Sequence, residues 1–381
     1  MSELPAYYPE VRDGPPWVME DMIAAEPGLA SIAARPSGDV EAIAAAVTSA
    51  ARDGRSVVVV GSGTAEHAAY GVAEILEEAV RSLGYPAGLV LGREAFEAAL
   101  DPRSGGVCVA VSHSSRSAQT VRALEAAKLN EARTVLITAD ADDTPATAFA
   151  DLVFTTPLVD RSFCHTVGYL APLIVAGVLA GEIGDVPVGA DDLRRALDAA
   201  DATGADARAV GAALEGAGVH VTTGSGADQH AARELALKIE EGLRAPSAMR
   251  GLETLMHGHF VAMDEQASLV ALCTDRRARL ERAKRTVVAL QAARRLGIRT
   301  TVITTTDVAD HFTSHDVSDG VIAVEDEATL PAAVASLIAT AAPLQHLTVG
   351  LVRTAGVNPD LIRREELPYR EVSMQTETKI R

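Results

Sequence analysis

A cluster of polar side chains separates an apolar run from a helical pattern near residue 112. The run Val107–Val111 is typical of a strand buried on both faces, and the spacing of apolar residues from Ala118 onwards predicts a helix. A strand that ends in hydroxyls and opens a helix brings hydroxyl donors, backbone N–H groups and the positive end of the helix dipole together. This arrangement predicts an anion site suited to a phosphate monoester. The cluster, which has no carboxylate, consists of Ser112, His113, Ser114, Ser115, Arg116 and Ser117.

The alternative is that Ser117 only caps the helix while the other serines are solvated loop residues. Four hydroxyls and an arginine in a chain with an excess of acidic residues favour the phosphate interpretation over this one.

A second set of candidate groups lies between residues 233 and 262. Glu234, Lys238 and Glu241 are spaced by four and three residues, so one face of a helix would carry an acid, a base and an acid. His257 follows further along the chain, and a histidine near such a helix in a phosphate-binding protein is a candidate acid–base group. The alternative is a solvated salt-bridge face, although the other sides of this helix are apolar.

Length and composition limit the classes of protein that the chain can represent. Its 381 residues exceed one ordinary core and predict two domains. With 34 basic and 52 acidic residues the net charge is −18, and only 3% of residues are aromatic, which argues against nucleic acid binding. Two of the three cysteines fall in apolar, strand-like runs, and we expect all three to be core thiols in a reducing compartment. We expect a cytoplasmic protein without a membrane span, because Val167–Gly181 is too short and contains Pro172.

Strands alternate with helical patterns and predict a doubly wound α/β fold with parallel sheets. The predicted strands of the first half are Ser56–Val60, Ala87–Leu91, Val107–Val111, Thr134–Thr138 and Leu152–Thr155.

The chain also repeats itself. The segment that begins at Gly61 matches the one that begins at Gly224, an offset of 224 − 61 = 163 residues. Both follow Val-rich strands, so we predict two tandem copies of one doubly wound, flavodoxin-like domain related by an internal repeat. The second copy has Thr274-Asp-Arg-Arg where the first has its serines. The predicted division is an arm and helix (1–35), a first domain (36–190), a second domain (205–350) and a tail (351–381).

The segment Gly61–Glu66 follows a strand and opens a helix, as a dinucleotide-binding loop does. Glu66 stands at the position of the third glycine, and no ribose-binding acid follows the next strand. We therefore expect a tight turn that lets a ligand approach the backbone, and we predict neither a cofactor nor a metal.

The motifs together resemble the tandem sugar isomerase (SIS) family, which includes the isomerase domain of glucosamine-6-phosphate synthase. Ser62-Gly-Thr-Ala65 is similar to the family's C-G-T-S turn, and Ser112–Thr120 is similar to its phosphate loop, S-Q-S-G-E-T-A-D-T. Glu234–Glu241 is similar to E-G-A-L-K-L-K-E, and the residues around His257 are similar to E-L-K-H-G-P.

The resemblance implies roles for the candidate residues. Glu241 would be the base that moves a proton between C1 and C2 of an open-chain sugar, and Lys238 would orient a carboxylate or stabilise the enediolate. His257 would open the sugar ring and would come from the neighbouring subunit, which implies a homodimer with shared active sites. The phosphate of a sugar or aminosugar would be bound by Ser62, Thr64, Ser112, His113, Ser114 and Ser117.

The chain also departs from the family pattern. The lysine that the synthase has near its C-terminus has no match, and Ser115 and Arg116 replace the Gly and Glu of the loop. We expect a stand-alone aldose–ketose isomerase or an aminosugar-phosphate deaminase/isomerase that works through an enediol or enediolamine. Two alternatives are a non-catalytic sugar-phosphate-binding regulator, and a structural dimerisation protein without affinity for phosphate.

Overall fold

The computed structural model describes residues 8–34 and 38–376. It contains two five-stranded parallel sheets, each in its own compact unit. The first-sheet unit comprises Gly28–Asp160, Val167–Leu193 and the described residues from Glu366 onwards. The second-sheet unit comprises the described residues up to Pro27, together with Arg161–Thr166 and Arg194–Glu365.

The strands of the first sheet are β1 (Val57–Gly61), β2 (Val90–Glu94), β3 (Val107–Val111), β4 (Arg133–Thr138) and β5 (Leu152–Thr155). Those of the second sheet are β6 (Val219–Gly224), β7 (Ser247–Gly251), β8 (Ala267–Cys273), β9 (Arg299–Thr305) and β10 (Val321–Val324). The helices are α1 (Val18–Ala25), α2 (Gly38–Arg52), α3 (Thr64–Ser82), α4 (Ala95–Leu100), α5 (Ala118–Leu129), α6 (Val167–Gly184), α7 (Ala190–Ala202), α8 (Gly204–Leu214), α9 (Asp228–Lys238), α10 (Leu252–Met256), α11 (Arg279–Arg295), α12 (Ala332–Ala355) and α13 (Leu367–Thr376).

The two sheets have the same strand order. The first runs β2-β1-β3-β4-β5 and the second runs β7-β6-β8-β9-β10, with every pair parallel. The predicted doubly wound α/β fold with an internal repeat is therefore confirmed. Strands β1, β3 and β8 are buried along their whole length, as their largely apolar sequences predict.

The prediction for β2 is misplaced. The strand begins at Val90 rather than Ala87, because Gly88 adopts a positive φ of 88° in a turn. The carboxylate of Glu77 accepts the N–H groups of Gly88 and Val90 and so holds the end of this turn. The helix predicted within residues 1–35 is also interrupted: α1 ends at Ala25, and a 3₁₀ segment, Glu26–Ile32, follows around Pro27.

Two helices, α6 and α12, are long and apolar enough to cross a membrane by length and composition alone. Within their most apolar windows, 83% and 94% of the residues are buried inside the protein. Buried core helices of soluble proteins pass the same test, so neither helix indicates a membrane span. The three cysteines are also buried and free, as the sequence predicts.

Candidate functional site

The serine cluster lies at the carboxyl end of the first sheet. Strands β1 and β3 are neighbours, and the chain leaves β1 for β2 on one side and enters β3 on the other. Such a reversal of strand order is where ligands bind in open α/β sheets, and a 2-1-3-4-5 order with a site at this point is a known general pattern. Helices α3 and α5 begin directly after these two strands, so the donors of two helix N-termini converge at this edge.

Hydroxyl groups from the two loops contact each other. Ser117 Oγ donates to Ser62 Oγ at 3.4 Å, and Ser62 Oγ lies 3.4 Å from Thr120 Oγ1. Ser117 stands at the N-cap position of α5, but its side chain makes no capping hydrogen bond. The interpretation of Ser117 as a simple cap is therefore wrong. Thr64, the first residue of α3, is buried beside this group.

Ser112 and Ser115 shape the loop itself. Ser112 Oγ accepts the N–H of Ser115 at 3.1 Å, and Ser115 Oγ lies 2.6 Å from Thr138 Oγ1. Ser115 is fully buried with a positive φ of 56°, so the chain turns sharply between the two residues. Ser114 lies at the outside of this turn and is exposed. The turn thus leaves Ser114 accessible to a ligand.

His113 is tied to the protein through its ring. Its Nε2 accepts the N–H of Asp160 at 2.8 Å, which makes Nδ1 the protonated nitrogen of a neutral ring. Asp160 in turn accepts the N–H of Gly168. This hydrogen bond leaves the backbone of His113 as the part of the residue that could bind a phosphate. Arg116 is exposed and lies 3.6 Å from the carboxylate of Asp140.

In the second-sheet unit the structure brings Glu234, Lys238 and Glu241 together. Lys238 Nζ lies 2.5 Å from Glu241 Oε2 and 3.4 Å from Glu234 Oε1. The side chains of Lys238 and Glu234 are 0% and 1% exposed, whereas that of Glu241 is 20% exposed. The alternative of a solvated salt-bridge face is therefore wrong. Only Glu241 of the three is open to a ligand.

The charge of Lys238 is held by its surroundings. Burial by itself would lower the pKa of the Lys238 ammonium, but the carboxylates of Glu241 and Glu234 outweigh it and hold the pKa above its usual range. Burial raises the pKa of the Cys164 thiol, which keeps that neighbour neutral. Lys238 is consequently a fixed cation that donates to Glu241 and cannot itself act as a base near neutral pH.

Glu241 lies on a short π-helical turn, Ile239–Leu243, that follows α9. Such turns are rare and are often found at functional sites. The turn packs on α12: a Cβ at Gly242 would lie 3.2 Å from Thr348 Cγ2 and 3.3 Å from Val352 Cγ1. It ends at Arg244, which has a positive φ of 63° and forms an ion pair with Glu365. The spacing in the sequence did not predict this turn.

His257 follows α10 and precedes Gly258, whose φ is 109°. Its side chain is 73% exposed, and its Nε2 lies 2.8 Å from Glu253 Oε1. Arg285 donates to both oxygens of Glu253 at 2.8 and 2.7 Å. Within the chain His257 bonds to Glu253 and not to Glu241. The i, i+4 spacing of Glu253 and His257 was the signal that sequence reasoning missed.

The part of the chain that the structure describes contains no group of three or more His, Cys, Asp and Glu side chains that could hold a metal ion.

A protein-family model matches the part of the chain that contains the serine cluster. Residues 52–180 match the model of the SIS domain family. This match spans 129 of the 381 residues and contains the whole serine cluster, and the resemblance predicted from the motifs is confirmed over this range. No curated protein matches the sequence at a significant level of similarity.

Solved structures with the same fold extend the likeness over both sheets. The C-terminal domain of glucosamine-fructose-6-phosphate aminotransferase from Francisella tularensis has a TM-score of 0.75 at 15% identity, covering 92% of this chain and 99% of that one. Tagatose-6-phosphate ketose/aldose isomerase from Escherichia coli has a TM-score of 0.71 at 17% identity, covering 93% and 98%. Glucosamine-6-phosphate deaminase from Thermotoga maritima has a TM-score of 0.65 at 16% identity, covering 90% and 96%. At these identities the likeness shows the shared fold.

Proposed function

We propose that the protein is a sugar-phosphate isomerase or an aminosugar-phosphate deaminase/isomerase. The observation that carries this proposal is the Lys238–Glu241 pair, in which a buried cation holds a partly exposed carboxylate. A regulator that only binds a sugar phosphate has no need of a buried charge beside an accessible carboxylate, because burying a charge costs free energy unless it is compensated. The SIS domain and the isomerases and deaminase with the same fold support the same class.

The serine cluster would bind the phosphate group of the substrate. The exposed Ser114 and the Ser117–Ser62 pair would supply hydroxyl donors, and Thr64 would supply its backbone N–H at the start of α3. Ser112 and His113 would act by holding the loop in shape, through the Ser115 N–H and the Asp160 N–H. A helix N-terminus favours an anion through its free N–H groups and its dipole.

Glu241 would remove the proton from C2 of the open-chain aldose and return it to C1, which converts the aldose to the ketose through an enediol. Lys238 holds the carboxylate in place and offsets the negative charge that develops on the substrate oxygens. Because the ammonium is fully buried, it loses little of this effect to solvent. If the substrate carries an amino group at C2, the same proton transfer gives an enediolamine.

His257 would open the sugar ring by protonating the ring oxygen and would reach the site from a second copy of the chain. Two observations support a homodimer: the imidazole is 73% exposed, and Val261 in the adjoining 3₁₀ segment is 92% exposed. In a homodimer with shared active sites, the partner subunit would cover these exposed groups. We also propose that the protein is located in the cytoplasm.

The decisive experiment replaces Glu241 with Gln, which keeps the size of the side chain and removes the proton acceptor. Exchange of the C2 proton with deuterated water is measured by NMR on hexose 6-phosphates and their 2-amino forms. A general base contributes on the order of 10²–10⁴-fold in rate, so exchange should fall by about that factor while binding persists.

Glu240→Gln is the matched control, because Glu240 lies on the same π turn but is exposed and makes no ion pair with Lys238. It should exchange at the wild-type rate. If the wild-type protein catalyses no exchange on any of these sugars that it binds, the isomerase proposal is wrong and a binding function replaces it.

A further inference from the structure

The second-sheet unit contains a counterpart of the phosphate loop whose position follows from strand register. Val57 pairs with Val107 in the first sheet, and His220 pairs with Ser268 in the second. Val57 and His220 are related by the repeat, since 220 − 57 = 163. Val107 and Ser268 are therefore equivalent positions in the two units. Ser114 lies seven residues after Val107, and Asp275 lies seven residues after Ser268, so Ser114 and Asp275 are also equivalent.

The turn opposite this loop is also repeated. Gly63 and Gly226 are related by the same offset and have φ angles of 61° and 63°. Ser62 therefore corresponds to Ser225, and Thr64 to Ala227. The two units build the same pair of loops, with a carboxylate in one where the other has an exposed serine.

Asp275 makes the contacts that an anionic ligand would make at this place. Its Oδ2 accepts the N–H of Ala227 at 3.0 Å, at the N-terminus of α9. Arg277 donates to the two oxygens at 3.0 and 2.7 Å, and Arg282 Nη2 lies 3.8 Å from Oδ2. Arg282 also donates to Ser225 Oγ at 2.7 Å. The carboxylate is thus surrounded by a helix N-terminus, two guanidinium groups and the serine that corresponds to Ser62.

The charge state of Asp275 agrees with these contacts. Burial by itself would raise the pKa of Asp275, but the hydrogen bonds from Arg277 and Ala227 outweigh it and lower the pKa, so the group is a carboxylate at neutral pH. The other acid that faces the site is Asp228, which accepts the N–H groups of Thr274 and Asp275 at 2.9 and 3.0 Å. The loop N–H groups of the second unit are therefore also occupied by a side chain of the protein.

We propose that the second-sheet unit holds the same kind of anion site as the serine cluster, and that the Asp275 carboxylate permanently occupies it as a built-in ligand. The tandem chain then has one phosphate site at its helix N-termini instead of two. This inference does not require any sugar-phosphate reaction, because the site and its occupant both belong to the second-sheet unit.

The test is rescue of Asp275→Ala by formate, which restores the carboxylate that the substitution removes. Melting temperatures are measured at pH 7.5 in sodium formate and in sodium chloride of equal ionic strength. Asp275→Ala should melt below wild type in chloride and should recover in formate with saturation. At a formate concentration of about ten times its Kd, the ratio of folded to unfolded Asp275→Ala should be roughly elevenfold higher than without formate. Formate carries the same charge as the Asp275 carboxylate, so the nearby Asp228 should repel bound formate no more than it repels Asp275 in wild type.

Three proteins serve as controls. Wild type and Asp275→Asn should show no specific response to formate, because the site is filled by a side chain in both. Asp319→Ala loses an Arg299 ion pair of 3.1 Å in the same unit but away from these loops, and formate should not restore its stability.

The proposal is overturned if Asp275→Ala is as stable as wild type, or if formate raises its melting temperature no more than that of Asp319→Ala. If Asp275→Ala does not fold in chloride, the yield of folded protein after refolding from urea is compared in the two salts. The proposal is also overturned if this yield is the same in formate and in chloride, or if no protein refolds in either salt.

Discussion

Replacing Lys238 with Met tests whether the Glu234–Lys238–Glu241 cluster is a true buried ion network. Methionine keeps an unbranched side chain of similar length and removes the ammonium. Glu234, which is 1% exposed, would then be a buried carboxylate without its cation. Removing one partner of a buried ion pair costs about 3–5 kcal/mol in the free energy of unfolding, because the remaining charge is uncompensated.

Urea denaturation at pH 7.5, followed by circular dichroism, measures this cost. Lys284→Met is the matched control, since Lys284 pairs with Glu281 at 2.9 Å with both side chains more than half exposed. The control should change the free energy of unfolding by less than about 1 kcal/mol. The two variants lose the same chemical group, so the difference between them isolates the effect of burial.

A second substitution separates the loss of the cation from general damage to packing. Adding Glu234→Gln to Lys238→Met removes the carboxylate that has lost its lysine and should restore part of the lost free energy, since a neutral amide is less costly to bury than a charge. A loss below about 1 kcal/mol for Lys238→Met, or no recovery in the double variant, would show that the cluster is more hydrated than the structure indicates.

Three further predictions follow from the same structure. Burial and the charge of Arg299 lower the pKa of His220 to about 4, below its unfolded value of 6.5, so its contribution to stability is complete above pH 6.5 and is lost as the pH falls towards 4. Between pH 7.5 and pH 5 this residue should cost about 2 kcal/mol in the free energy of unfolding, a loss that urea titrations of His220→Asn should lack. Ser114→Ala should weaken binding of a sugar phosphate by roughly ten- to a hundredfold in calorimetry, in line with about 1.5–3 kcal/mol for a hydrogen bond to a charged group, and unchanged affinity would remove this hydroxyl from the site. Mixing inactive His257→Asn with inactive Glu241→Gln should restore activity if the active site is shared between subunits, whereas activity absent from every mixture would contradict the shared site.

The part of the fold that the sequence predicted consists of elements with strong local patterns. Strand β3 was placed to the residue, because a five-residue apolar run rich in β-branched Val is typical of a buried strand. Strand β7 was missed, because Ser247–Gly251 is half-buried, lies at the edge of the sheet and shows no apolar alternation. Only its pairing with β6 defines it.

The candidate site also has features that the sequence predicted and features that only the structure shows. The residue types and spacings of Glu234, Lys238 and Glu241 were visible in the chain, and so was the cluster of serines. The π turn that displaces Glu241 from the regular helix was not visible, because it depends on the close approach of Gly242 to α12 about one hundred residues later in the chain.

By itself, the sequence determined the α/β class, the internal repeat and the residues available for chemistry, because each of these depends on local pattern and on similarity along the chain. The tertiary structure decided which charges are buried. Lys238 is a fixed cation because two carboxylates pair with it, and Asp275 is held by Ala227 and by two arginines of the following loop and helix. The free energy of a charged group depends on its solvation and on its neighbours in space, and spacing along the chain specifies neither of these.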